Sequence, residues 1–330
     1  MGAQLRVYRR RIRTVQSTKK ITKAMELISA SRIVKAQNRL AAASPYTREL
    51  VRAVSAAASH ASGVTKHPLV AQARLHQRAA MLVIGSDRGL AGAYSINVIK
   101  EGEALAGLLR GDGLEVVPYL VGRKPLAFYR FRDREIGGSW TGFTENPTYE
   151  HAREIADALL EAFLRPTEDG GCDEIHMVYT RFVNTVVQRP DARRVLPLEV
   201  VEEVVPIERH GVDAAREAEH GGAAEESARA AAQAGTVFPL YEFEPSADAV
   251  LDALLPRYVA DVIYTSLLHA AASEHAARRR AMKAATDNAD ELITTLTRQA
   301  NAARQAEITQ EISEIVGGAN ALASASAGSE

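Results

Sequence analysis

Residues 3 to about 58 hold a single proline, Pro45, and no glycine, and are rich in Ala and Arg, with Lys, Leu and Gln among the rest. All five types favour helix. The segment therefore reads as one long helix, kinked or split in two at Pro45, which removes a backbone donor. Leu5, Tyr8, Ile12 and Val15 are spaced three and four apart, the interval of a coiled-coil seam. Ile21, Met25 and Ile28 continue it in a shifted phase, which predicts a change of register. A second such segment spans 246 to about 316, with Pro256 near its start and Gly317-Gly318 as its expected end. Ala285, Ala289, Leu292, Leu296, Gln299 and Ala303 share one heptad row there. Its roughly 65 residues would make a rod of about 100 Å. That is longer than any domain 330 residues can build, so much of the rod must project.

Between the rods the pattern changes. Ala80 to Ile84 is a short apolar run closed by Gly85-Ser86-Asp87-Arg88-Gly89. Helical spacing follows over 94–110, a second strand pattern over Val116–Val121, and a helical stretch near 123–131. A further helix is expected over 149–164 and a third strand over Ile175–Val183. Strands alternating with helices predict βαβ units and a small Rossmann-like parallel sheet. The expected fold class is thus α/β plus a long antiparallel coiled coil of N- and C-terminal helices. Its parts are a helix over 1–60, an α/β domain over 64–245, a helix over 246–318 and a flexible tail over 319–330.

The net charge of −1 conceals two opposed segments. Residues 1–50 carry 12 Lys plus Arg against two acids, Glu26 and Glu49, whereas 199–235 carry nine acids against three Arg. The acidic stretch is rich in Ala and Gly and poor in large apolar side chains, so its later part is expected to be a loop or a marginal helix. The basic segment fits a solvated face, a nucleic-acid binder or a partner-facing shaft, and charge alone does not choose. The apolar seam running through it argues for a coiled coil. No run of about 18 apolar residues predicts a membrane span, and no apolar signal-peptide core follows the basic start.

Ile84 to Gly92 invites a phosphate-loop reading, because it follows a strand and precedes a helix. Its spacing fits neither the Walker loop nor the dinucleotide fingerprint, so a structural turn held by Asp87 is expected. The single cysteine, Cys172, cannot form an internal disulfide. The nine histidines show no ligand spacing, and no nucleophile–base arrangement stands out. No metal, cofactor or catalytic residue is expected. Arg278-Arg279-Arg280 with Lys283 reads as a solvated helix face, or as a contact for an acidic loop of a surrounding protein.

Ile21-Thr-Lys-Ala-Met-Glu-Leu-Ile-Ser-Ala-Ser-Arg32, Arg278 to Asn288 and Ala303 to Val316 resemble the terminal signatures of the F-type ATP synthase gamma subunit family. Ser86 to Gly92 is similar to the turn after that family's first strand. The resemblance runs over nearly the whole chain. It implies a non-catalytic rotor shaft inside a ring of three alpha and three beta subunits, with epsilon and the c ring at its foot. It implies no direct nucleic acid, and a place at the cytoplasmic face of the plasma membrane, reached only through the complex. By position, Lys20, Lys23 and Met25 would face an acidic region of beta, and Arg278, Gln305 and Thr309 would couple along the shaft. Tyr241 and Glu244 would stand on the c ring. Competing readings are a nucleic-acid-binding coiled coil, an α/β enzyme with oligomerisation helices, and a vacuolar-type rotor, against which the α/β domain argues.

Two departures from the family pattern carry expectations. The acidic stretch 199–235 is longer than the pattern, so it is read as a peripheral insertion. Deleting 211–234 should leave assembly and coupling intact, and loss of assembly on co-purification would contradict this. Thiol control needs a cysteine pair that one Cys172 cannot supply, so reductant should leave activity unchanged.

Overall fold

The structure is a computed structural model describing residues 2–60, 69–70, 77–198, 243–244 and 246–327. Helix α1 (Gly2–His60) leads to strand β1 (Arg78–Ile84), helix α2 (Tyr94–Gly111), β2 (Glu115–Val121) and α3 (Arg123–Phe131). Strand β3 (Gly138–Trp140), α4 (Tyr149–Leu164), β4 (Glu174–Phe182) and β5 (Gln188–Leu196) follow, and α5 (Ala247–Ala327) completes the order. The acidic stretch 199–235 lies outside the described residues.

The five strands are ordered β3-β2-β1-β4-β5. All neighbouring pairs are parallel except β4 with β5. That antiparallel edge is absent from the sequence reading, because β5 is written in charge (Arg189, Asp191, Arg193, Arg194) rather than in apolar residues. The central strands are apolar on both faces, as a covered parallel sheet requires. Ala80, Leu82 and Ile84 join the cluster shared with α4 and α5, while Met81 and Val83 join the cluster under α2 and α3. This is the two-residue alternation of a strand.

The long helices run antiparallel, since their partners descend along α5 as α1 ascends: Lys19 with Asp290, Thr22 with Thr286, Thr47 with Thr265. At about 1.5 Å per residue, the 81 residues of α5 span about 120 Å and the 59 of α1 about 90 Å. The described α1 is continuous through Pro45. A mid-helix proline costs about 3 kcal/mol, and burial of neighbouring Leu50, Ala56 and Ala57 offsets it. Helix α5 likewise runs through Gly317-Gly318 to Ala327. Two exposed glycines cost about 1 kcal/mol each, which the alanine-rich surroundings absorb. The tail expected over 319–330 is therefore helical as far as 327.

The expected change of register in α1 is also corrected. The seam keeps one phase: after Val15 it passes through Lys19, Thr22, Glu26, Ser29, Ile33 and Ala36, all buried or half-buried. Ile21 and Ile28 point outward, 58% and 52% exposed. Apolarity misleads here because the seam itself is polar, with the Thr22 and Thr286 hydroxyls paired at 2.8 Å. A buried polar pair of this kind pins register. On α5 the expected row holds at Ala285, Ala289, Leu296 and Ala303, all buried or half-buried, whereas Gln299 is exposed and Leu292 is 47% exposed, with Ile293 and Ala300 carrying the contact beside them.

Candidate functional site

Six of the sequence-predicted residues have described surroundings along the helix pair. Lys20 and Lys23 are exposed, Lys23 pairing with Glu26 at 3.0 Å, and Met25 is half-buried. Together with Ile21 and Ile28 they form a basic and apolar outer flank of α1. Gln305 and Thr309 lie on exposed surface of α5. Every residue from 308 to 319 is exposed, because α1 has run out opposite them. Ile308, Ile312, Ile315 and Val316, spaced along one helical face, are left uncovered on this single-helix extension. Of the foot residues, Glu244 is exposed and Tyr241 lies outside the described residues.

Arg278 departs from the solvated face expected of its cluster. It is 4% exposed. Its guanidinium donates to Glu274 Oε1 at 2.5 Å and lies 3.1 Å from Glu145 Oε1 and 3.4 Å from the Gly89 carbonyl. Arg280 is exposed yet bonded, donating to the Val186 carbonyl at 2.8 Å and to Gln188. Glu145 also pairs with Arg32 of α1 and with Arg88 at 3.5 Å. Sequence reasoning missed Glu145 and Glu274. One sits in an aperiodic loop and the other is a glutamate on a long helix, and neither carries a motif.

The loops that make this arrangement are locally determined. The turn after β1 is a structural turn, as its sequence predicts. Asp87 accepts backbone N–H groups from Gly142 at 2.8 Å, Thr144 at 3.1 Å and Arg123 at 3.2 Å. It thereby ties the loops after β1, β2 and β3 together. In open α/β sheets ligands bind at the strand ends where the order reverses. Here the chain's own α5 passes close to the turn after β1: a Cβ added at Gly92 would lie 3.7 Å from the Ala281 Cβ.

Burial controls the protonation of the groups around Arg278. Glu274 is fully buried, and desolvation raises its carboxyl above the ordinary range against the pull of Arg278. His275 is pushed down to about 4 by burial and stays neutral, its Nε2–H donating to the Glu145 carbonyl at 3.2 Å. A base with a lowered folded pKa contributes stability that is full above its unfolded value near 6.5 and is lost as pH falls towards 4. The His275→Gln variant should therefore gain on the parent by up to about 3 kcal/mol across that window. Urea midpoints at stepped pH check this, and parallel curves would contradict it. Glu274, shifted the opposite way, works against the trend in both proteins alike.

Among the described residues no cluster of His, Cys, Asp or Glu is suited to a metal, and no helix is long and apolar enough to cross a membrane. A family model described as ATP synthase matches residues 4–322. The ATP synthase gamma chain of Acidothermus cellulolyticus is 60% identical, over 98% of both chains. The chain belongs to the ATP synthase gamma chain family. The gamma chain of Thermobifida fusca is 58% identical over the full length of both. Among solved structures, the rotor of the Euglena gracilis mitochondrial ATP synthase shares the fold, with TM-score 0.59 and 15% identity over 93% of this chain and 100% of that one. As a gamma chain it is the non-catalytic central-stalk subunit and transmits rotation to the catalytic hexamer. Lys20, Lys23, Gln305 and Thr309 lie on the outside of the helix pair, whereas Arg278 is buried.

Proposed function

We propose that α1 and α5 stand inside a ring of three alpha and three beta subunits, with the α/β domain outside it beside epsilon and on the c ring. The assembly would sit at the cytoplasmic face of the plasma membrane and hold this chain there peripherally. The observation that carries the reading is the helical extension beyond Glu307, a single helix with an uncovered apolar face. An exposed apolar stripe of this kind needs a sleeve. Lys20 and Lys23 then meet acidic segments of beta beside Met25, Gln305 and Thr309 meet the ring higher up, and Tyr241 and Glu244 contact the c ring. Arg278 acts from inside, by holding α5 to the domain. Because the outer flanks of α1 and α5 differ, each beta subunit faces a different surface. Differential contact of that kind biases conformational equilibria without any bond chemistry here. Rim charges also give attraction that varies smoothly with angle, as a bearing needs.

Co-expression with alpha, beta, epsilon and the c ring tests this. Complexes should hydrolyse ATP and pump protons only with this chain present. The double variant Lys20→Glu with Lys23→Glu should assemble yet pump about two-fold or more less per ATP. Full pumping without the chain would overturn the proposal.

A further inference from the structure

Four arginines on the two long helices face oxygens of the α/β domain. Arg32 and Arg39 of α1 meet Glu145 and Asn146. Arg278 of α5 meets Glu145 and the Gly89 carbonyl, and Arg280 meets the Val186 carbonyl and Gln188. The receiving loops all lie at the C-terminal ends of β1, β3 and β4. Arg278 and Arg280 are two residues apart, so they point about 200° away from each other around α5. The domain thus holds α5 from opposite sides, and holds α1 through the same carboxylate. Below this level the joint is chiefly the apolar cluster of Leu251, Leu255, Val259, Ile263 and Leu267 against the sheet and α4, with one arginine bond, Arg193 donating to Ser266 Oγ at 2.9 Å. Apolar packing is non-directional and opposes twist only through shape. Charge-assisted bonds to arginine have preferred directions and resist rotation of a helix about its own axis.

From this geometry we infer that the four arginines form a torsional collar, and that Glu145 is the positioning residue that locks both helices of the shaft to the domain that drives them. The inference rests on the rotor reading. It assigns the collar the stiffness of the joint between domain and shaft; ring contacts and bond chemistry lie elsewhere. Glu145 is suited to this because, among the described residues, it pairs with arginines of both α1 and α5. Its loop is in turn fixed by Asp87, through the Thr144 N–H and through Thr144 Oγ1, which accepts from the Asp87 N–H at 3.0 Å.

The test uses the assembled synthase with its ring immobilised and a probe on the outer face of α2, where Leu108 is 69% exposed. Angular fluctuation of the probe during pauses reports the compliance of the joint. Glu145→Ala and Glu145→Gln should widen the angular variance by about two-fold, because the charge-assisted bond from Arg32 is lost or weakened and the ion pair with Arg278 is removed. Leu159→Ala, which weakens the sheet cluster without touching the collar, should leave the variance unchanged. In the isolated full chain, Glu145→Ala should also speed amide exchange at 143–146. Unchanged variance in complexes that still rotate overturns the inference alone, as does equal widening by Leu159→Ala. Wild-type complexes in which the domain does not rotate overturn the rotor reading and the collar with it.

Discussion

Replacing Arg278 with Ala is expected to destabilise the folded chain by about 3–5 kcal/mol at alkaline pH and by distinctly less at mildly acidic pH. Removing one partner of a buried ion pair leaves the other charge without compensation, and that penalty sets the size of the effect. Here the stranded group is Glu274, fully buried and already shifted upward by desolvation in the presence of Arg278. Without the guanidinium its folded pKa must rise further. An acid with a raised folded pKa binds its proton more readily folded than unfolded. Stability is therefore retained below the ordinary glutamate value near 4.5 and falls as pH climbs towards the folded value. The variant's deficit should grow with pH accordingly. Adding Glu274→Gln should recover much of it, since an amide buries at lower cost than a carboxylate. Denaturant titrations of the single and double variants at two pH values decide the matter. A pH-independent deficit that Glu274→Gln does not relieve would contradict the assignment.

The second large effect is expected at Gly122. Its backbone has φ +99° and ψ 148°, a region essentially confined to glycine. A Cβ added there would lie 2.8 Å from the Ser86 carbonyl carbon and 2.9 Å from its oxygen. Both are backbone atoms, so neither can swing aside. Gly122→Ala should therefore cost about 3 kcal/mol or more, combining torsional strain with displacement of the turn. The displacement matters for function because Ser86 to Gly89 carries Asp87, which ties three loops, and the carbonyl facing Arg278. Lys124 also donates its backbone N–H to the Ser86 carbonyl at 2.9 Å, so the start of α3 would be disturbed too. Gly107 supplies the contrast. It lies within α2 with open space where a Cβ would go, and Gly107→Ala should stabilise by about 0.5–1 kcal/mol. Unfolding midpoints of both variants should move in opposite directions from the parent. A Gly122→Ala protein as stable as the parent would show that the turn is not held as described.

The central strands and all three domain helices were legible because they bury continuous apolar surface. Ala80–Ile84, Val116–Val121 and Ile175–Val183 each fall on an observed strand to within about two residues. The two rods were legible for a related reason: long stretches without breakers admit few alternatives. Strand β5 was not legible, because its outer face is solvated and its register is fixed by pairing with β4, from Gln188 opposite Phe182 to Arg194 opposite His176. The seam of the helix pair was misread where it turns polar. Lys19, Thr22, Glu26 and Ser29 occupy positions that a search for apolar residues passes over, and Ile21 and Ile28 face outward. Arg278 shows the converse error. A run of three arginines looks solvated, yet helical geometry sends its members in different directions, and one of them meets a buried carboxylate. Glu145 could not have been found at all, since its partners come from α1, α5 and the β1 turn, all distant along the chain.

The account stands on rotation of this chain within the ring. Cys172 is buried, so a thiol placed at Leu108 on the exposed face of α2 can carry a visible probe almost alone. With the alpha and beta ring fixed to a surface and ATP supplied, the probe should turn continuously in one direction and stop when ATP is withdrawn. A probe that stays fixed relative to the ring while ATP is being hydrolysed would contradict the central claim.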